Sequence, residues 1–181
     1  AVDMRLRLLL VLLLMVFSIG QFGVSVSLVN PGYETSWSGS TTVSGWTRSS
    51  TSSYFQTPRY TTYKYAGTAS LRLYKTSVTT YNIYQDVTGS TKVIPGATYT
   101  AGVKIMNRYT YSRVRMYMRF YNSSGTSLGY TYSAYSVPQN TSWQSLTCSK
   151  VAPAGTTKIR LQLYYYGYPS TSNNSSVMAD G

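Results

Sequence analysis

The chain has no histidine and only four carboxylates in 181 residues: Asp3, Glu34, Asp86 and Asp180. General acid–base catalysis draws mostly on His, Asp and Glu, and glycoside hydrolysis typically needs two carboxylates at a set separation. So little titratable material argues against an enzyme, and any catalysis is expected in a domain outside this sequence. Cysteine is nearly absent too. Cys148 stands alone, which excludes an internal disulfide, and no histidine is present to activate its thiol. Long apolar runs are missing as well. The longest, Leu8–Phe17, has ~10 residues against the ~20 that a membrane-spanning helix needs.

What the chain has in quantity is tyrosine and positive charge. Twenty tyrosines accompany 16 Lys and Arg, for a formal net charge of +12. Aromatic rings hold flat, weakly polar partners, and the tyrosine hydroxyl can stay hydrated while its ring is covered. The composition favours a binder over a catalyst.

The first 27 residues read as a signal peptide. Met4 opens a short basic stretch, Arg5-Leu6-Arg7, before the apolar run, and Ser25 and Ser27 fit a small-x-small cleavage site. This predicts a secreted or cell-surface protein starting near Leu28, with no membrane attachment after cleavage. At the other end, Val177-Met178-Ala179-Asp180 reads as a strand cut short, so residues 28–181 are expected to form one domain truncated at its last strand.

Within that domain no useful length shows a helical period, while alternation recurs. Val114, Met116, Met118 and Phe120 alternate with Arg115, Tyr117, Arg119 and Tyr121. Ile159, Leu161 and Leu163 alternate with Arg160, Gln162 and Tyr164, and Tyr99, Ala101, Val103 and Ile105 with their polar or small neighbours. Leu71 and Leu73 flank Arg72, with Tyr74 on the side of Arg72. A period of two marks half-buried antiparallel strands. Turn signals at Pro31-Gly32, Gly89, Pro95-Gly96, Asn122–Gly125, Pro138 and Pro153–Gly155 separate them. The pattern predicts an all-β, antiparallel β-sandwich. The Ser/Thr-rich stretch 36–62 is expected to be weakly structured connection.

The order of short motifs resembles secreted carbohydrate-binding modules of the galactose-binding-like jelly-roll type, the relatives of xylan- and glucan-binding modules. Leu28-Val29-Asn30-Pro31-Gly32-Tyr33-Glu34 is similar to their opening strand, and Trp46 to the tryptophan that follows. Ala66–Leu73, Tyr84-Gln85-Asp86-Val87, Ile94–Tyr99, Phe120–Gly125, Trp143 with Ala152–Thr156, and Val177–Asp180 continue the series in order. The resemblance implies a galactose-binding-domain-like jelly roll that binds polysaccharide without catalysis, as an accessory to a glycoside hydrolase or a cell-surface protein. It also implies a structural Ca2+ held by Glu34 and Asp180, with backbone carbonyls near Gly67–Ser70 completing the oxygen shell. Trp46 and Trp143 are expected to be framework residues.

The candidate ligand residues follow from the outward rows. Arg115, Tyr117 and Arg119, Arg160, Gln162 and Tyr164, and Arg72 with Tyr74 would form a basic aromatic platform if their strands share a sheet. Trp37, in a Ser/Gly setting, is the loop candidate, alongside Tyr54, Phe55, Tyr60, Tyr63 and Tyr65. Sugar rings would stack on the tyrosines, while Arg and Gln would bond hydroxyls or, on an anionic polysaccharide, carboxylates or sulfates. Nucleic acid would use the same residue types, but a secretion signal and the absence of a dense Lys/Arg cluster make it an unexpected partner. The alternative is a structural surface-layer, filament or adhesion subunit that uses the tyrosines for self-association. Asn122, Asn140, Asn173 and Asn174 begin glycosylation-type sequons.

Overall fold

The strands form where apolar side chains recur at every second position. β9 shows this most clearly: from Ser112 to Tyr121 buried and half-buried residues alternate without a break. Residues of one parity meet the core and those of the other meet solvent, which a strand achieves and a helix does not. In the computed structural model the described residues are 23, 28, 30–34, 37–38, 42–76, 79–110, 112–167 and 175–180. The expected signal peptide lies outside them apart from Gly23.

Thirteen strands are described. Five short ones come first: β1 (Trp37–Ser38), β2 (Thr42–Val43), β3 (Thr47–Arg48), β4 (Phe55–Gln56) and β5 (Arg59–Tyr60). Longer ones follow: β6 (Ser70–Lys75), β7 (Tyr81–Thr88), β8 (Thr98–Asn107), β9 (Ser112–Tyr121), β10 (Ser127–Tyr132), β11 (Asn140–Val151), β12 (Lys158–Gly167) and β13 (Ser175–Asp180). They build an antiparallel sandwich. One sheet has the order β10-β9-β12-β7-β3, the other β11-β8-β13-β6-β4 with β5 also on β6, and β1-β2 form a separate ribbon.

The core lies between the two sheets. Val114, Met116, Met118, Phe120, Ile159, Leu163 and Tyr165 come from the first sheet, and Leu71, Leu73, Val103, Ile105 and Leu146 from the second. Burying each such side chain is worth roughly 1.5–3 kcal/mol. These contacts fix which faces of β9 and β12 point outward.

Three local expectations are corrected. The stretch 36–62 is not merely connection: it supplies β1 to β5, and the fully buried Phe55 sets β4 against β6. Among the described residues of the expected opening strand, 30–34 form a turn instead, closed by the Tyr33 N–H donating to the Asn30 carbonyl at 3.2 Å, with φ positive at Asn30 and Tyr33. Trp46 is a framework residue, packing on Tyr33 and donating from Nε1 to the Asn30 carbonyl. Trp143 is not: it sits next to a register shift in β11, half-buried, with its ring edge against the exposed Tyr65. Of the expected last strand, Ser175–Asp180 lies inside its sheet, paired on both sides with β6 and β8.

One buried cation is unusual. Lys75, at the end of β6, is 1% exposed, donates to the Thr79 carbonyl at 2.6 Å, and lies over the rings of Tyr81 and Tyr165. Burial pulls its pKa down to about 8.

Candidate functional site

The outer face of the five-stranded sheet carries the densest group of polar aromatic residues. β9 and β12 are neighbours there, with Arg119 opposite Arg160, Tyr117 opposite Gln162 and Arg115 opposite Tyr164. The outward rows of Arg115, Tyr117 and Arg119 and of Arg160, Gln162 and Tyr164 therefore do form one surface. β10 adds Tyr130 and Tyr132 beside Arg119 and Tyr117, and β7 adds Tyr84 and Asp86 beside Gln162 and Arg160.

Tyr117 is the hub. Its ring centroid lies 4.7 Å from that of Tyr164, 5.4 Å from Tyr132 and 6.1 Å from Tyr130. Tyr164 continues the group to Tyr166, and Tyr166 meets Tyr135 edge-on. Arginines fill the spaces between rings. Arg119 lies over Tyr117 and Tyr130, each 5.1 Å from the ring centre, and Arg115 lies over Tyr135 at 3.7 Å and Tyr132 at 4.2 Å. Such cation–π contacts contribute ~0.5–1 kcal/mol each at exposed sites and hold the guanidinium planes in place.

Hydrogen bonds set the floor of this surface. Gln162 is 6% exposed, so it is covered by its neighbours rather than offered to a ligand. Its Oε1 accepts from Arg119 Nε at 2.7 Å, and its Nε2 donates to Asn82 Oδ1 at 3.2 Å. Gln162 therefore orients Arg119. The Tyr117 and Tyr166 hydroxyls are 3.4 Å apart. Burial pushes the Tyr117 phenol up, but the bond from Tyr166 and the nearby Arg115 and Arg119 guanidiniums more than offset it, leaving it below the ordinary tyrosine range. Burial and donation to Tyr117 push Tyr166 up.

Asp86 is the only carboxylate of this sheet. Arg160 grips it with two bonds, Nε to Oδ1 at 2.6 Å and Nη2 to Oδ2 at 2.7 Å, and Lys158 Nζ lies 3.9 Å from Oδ2. Arg160 also stacks 3.9 Å from the centre of the Tyr84 ring.

The remaining sequence candidates lie elsewhere. Arg72 and Tyr74 are on β6 in the six-stranded sheet, where Arg72 lies over Tyr74 and Tyr60. The loop tyrosines join that side: Tyr63 stacks under Arg108, and Tyr65 under Lys104. Trp37 belongs to β1, and its side chain lies outside the described residues.

Glu34 reaches from the 30–34 turn to the 67–69 turn. Its two oxygens accept from the Thr68 N–H at 3.1 and 3.0 Å, the Thr68 hydroxyl at 2.5 Å and the Ala69 N–H at 3.4 Å. The Thr68 hydroxyl and N–H hold the Glu34 carboxyl below its usual range, so it stays an anion. Gly67 has φ +62°, and a Cβ there would come within 1.9 Å of Glu34 Oε1, so only glycine permits this approach. Asp180 pairs in register with Lys104, and its side chain lies outside the described residues. Among the described residues, no three His, Cys, Asp or Glu side chains gather where they could share a metal.

A cavity of about 330 Å3 opens between the sheets, lined by Leu28, Trp46, Val103, Met118 and Leu161 among others. Its walls are mainly apolar, the wrong chemistry for a ligand covered in hydroxyls.

Sequence reasoning missed Tyr130, Tyr132 and Tyr135 and gave Asp86 no role on the face. Tyr130-Thr131-Tyr132 does alternate, but the bulge at Gly129, φ +137°, interrupts the run and hides its pairing with β9.

No family model matches the chain, and no curated protein matches it. Solved structures do. A family 61 carbohydrate-binding module in complex with β-1,4-galactotriose superposes with a TM-score of 0.57 at 14% identity, covering 86% of this chain and 95% of that one. The C-terminal family 22 carbohydrate-binding module of Clostridium thermocellum Xyn10B gives 0.52 at 18% identity, covering 77% and 84%. The enzymatically active domain of tailspike protein 4 from bacteriophage CBA120 gives 0.65 at 15% identity, and the match spans 87% of this chain but only 20% of the tailspike. The chain thus has the β-sandwich fold of carbohydrate-binding modules.

Proposed function

We propose that this protein is a non-catalytic polysaccharide-binding module that uses the outer face of its five-stranded sheet. The observation that carries the reading is the tyrosine group around Tyr117, which presents ring faces and hydroxyls held in place by stacked arginines. Sugar rings offer C–H faces to aromatic rings, and their hydroxyls match Arg and Tyr donors. The likeness of fold to a module solved in complex with β-1,4-galactotriose supports the same reading. Among the described residues of this face the carboxylate is Asp86, already paired with Arg160, whereas glycosidic cleavage typically uses two.

The setting proposed for it is outside the cell, following an N-terminal signal, with the module keeping a glycoside hydrolase or a cell-surface protein on its glycan. A structural Ca2+ at Glu34 and Asp180 is part of the proposal. The anionic Glu34 carboxylate is the ligand type that calcium takes, although its hydrogen bonds to Thr68 and Ala69 already order the 67–69 turn.

A glycan array probed with the wild-type protein and with Tyr117→Ala tests the function. Binding of one or more glycans that the variant loses supports it. A folded wild-type protein that binds none overturns it and favours self-association through the tyrosines.

A further inference from the structure

The charges of the tyrosine face divide unevenly across the sheet. One row runs Asp86, Arg160, Arg119 and Tyr130, in direct register on β7, β12, β9 and β10. Two arginines thus stand opposite one another, an arrangement that like charges disfavour. Asp86 relieves it for Arg160 alone. Both of its oxygens are held by Arg160, and Lys158 stands 3.9 Å away on the same side.

The β9 side differs. Among the described residues the ion pairs are those of Arg160 and Lys158 with Asp86, and Arg115 and Arg119 take part in neither. Ring faces hold the Arg115 guanidinium between Tyr132 and Tyr135, while Arg119 lies over Tyr117 and Tyr130 and gives its Nε to Gln162. A guanidinium over a ring can still bond a carboxylate or sulfate in its own plane; with Arg119 Nε given to Gln162 and Arg115 Nε buried, the Nη groups are the donors for that role. Two cations four residues apart on a strand lie roughly 13 Å from one another, which puts Tyr117 between them.

We infer that the glycan bound here is acidic, that its carboxylates or sulfates are received by Arg115 and Arg119, and that Asp86 determines where those groups sit by neutralising Arg160. This rests on the tyrosine face being the glycan site. The ligand then lies with its charged groups on the β9–β10 side, and its neutral ring faces reach across Tyr117 and Tyr164. The excess of cations over carboxylates in the whole chain draws such a polymer in.

The test measures affinity for three probes, polygalacturonate, dextran sulfate and neutral xylan, at 50 and 500 mM NaCl. The wild-type protein should prefer polygalacturonate or dextran sulfate to xylan, and which of the two separates carboxylate from sulfate recognition. Arg115→Gln with Arg119→Gln should weaken acidic binding at least tenfold. Asp86→Asn should strengthen it several-fold and steepen its salt dependence, because Arg160 is released as a third cation. Asp86→Asn combined with Arg160→Gln should return it to the wild-type level, which a merely disturbed fold would not do. Salt-insensitive binding of xylan alone would overturn the acidic assignment while leaving glycan binding intact. Dextran sulfate retained equally by the double arginine variant would show adsorption by charge only and would also overturn it. Failure to bind any glycan would remove the underlying function instead.

Discussion

Tyr117 and Tyr164 meet diagonally, not directly across their strands. The register pairs Tyr117 with Gln162 and Tyr164 with Arg115, yet the two ring centroids are 4.7 Å apart with their planes inclined at 53°. Diagonal neighbours on one face of an antiparallel pair are close enough for large rings to touch. The contact brings the β9 and β12 rows together over the buried Gln162, and Tyr117 also meets the rings of Tyr130 and Tyr132.

Tyr117→Ala should therefore weaken glycan binding about tenfold or more, corresponding to ~1.4 kcal/mol, with little change in thermal stability because Tyr117 lies on the outer face. Tyr74→Ala, on the opposite sheet, should keep the wild-type affinity. Isothermal titration with a glycan found on the array, beside a thermal melt, reads both. Equal losses from the two variants would place binding elsewhere.

Lys75→Met should raise stability at pH 7. The folded-state pKa of Lys75 lies near 8, below the ordinary 10.5, so folding disfavours its charged form. Between those values the unfolded chain holds more protons, and stability rises with pH across that window. The penalty is fully present below about pH 8 and amounts to ~3 kcal/mol as an order of magnitude. Melting curves at pH 7 and pH 10.5 should show the advantage of the variant shrink as Lys75 loses its proton in both states.

Gly67→Ala should lower the melting temperature by several degrees. The positive φ and the approach of Glu34 both oppose a Cβ, and moving the carboxylate away gives up its bonds to Thr68 and Ala69. Glu34→Gln tests the same link and the proposed calcium together. If Ca2+ binds, adding it should raise the melting temperature of the wild type and not of Glu34→Gln. A wild-type melt that ignores both Ca2+ and chelator would leave Glu34 with its hydrogen-bonding role alone.

Acid should weaken this same link. Because Glu34 has a lowered pKa in the fold, its contribution is present above the ordinary value near 4.5 and is lost as pH falls through the folded value. Amide exchange at Thr68 and Ala69 should quicken at pH 3 relative to pH 6, with little change in Glu34→Gln.

Cys148 should resist alkylation while the protein is folded. It is buried between the sheets opposite Ala101, and burial pushes its thiol up to about 11, so little thiolate exists at neutral pH. A thiol reagent at pH 7.5 should label it only after denaturant is added. Rapid labelling of the native protein would contradict its placement.

The sequence alone determined the faces. Alternation over 114–120 and 159–163 set which side chains point inward, because successive residues of a strand must point to opposite sides, and the burial of β9 follows that pattern residue by residue. Tertiary structure decided the neighbours. A period of two says nothing about which strand lies beside which, so Arg72 and Tyr74, with the same alternation, went to the other sheet. It also decided that Gln162, outward by parity, is covered by the residues around it, and that Asp86 meets Arg160 across 74 residues of chain. Those facts depend on long-range pairing and register, which are set by the packing of the whole core and are carried by no single segment.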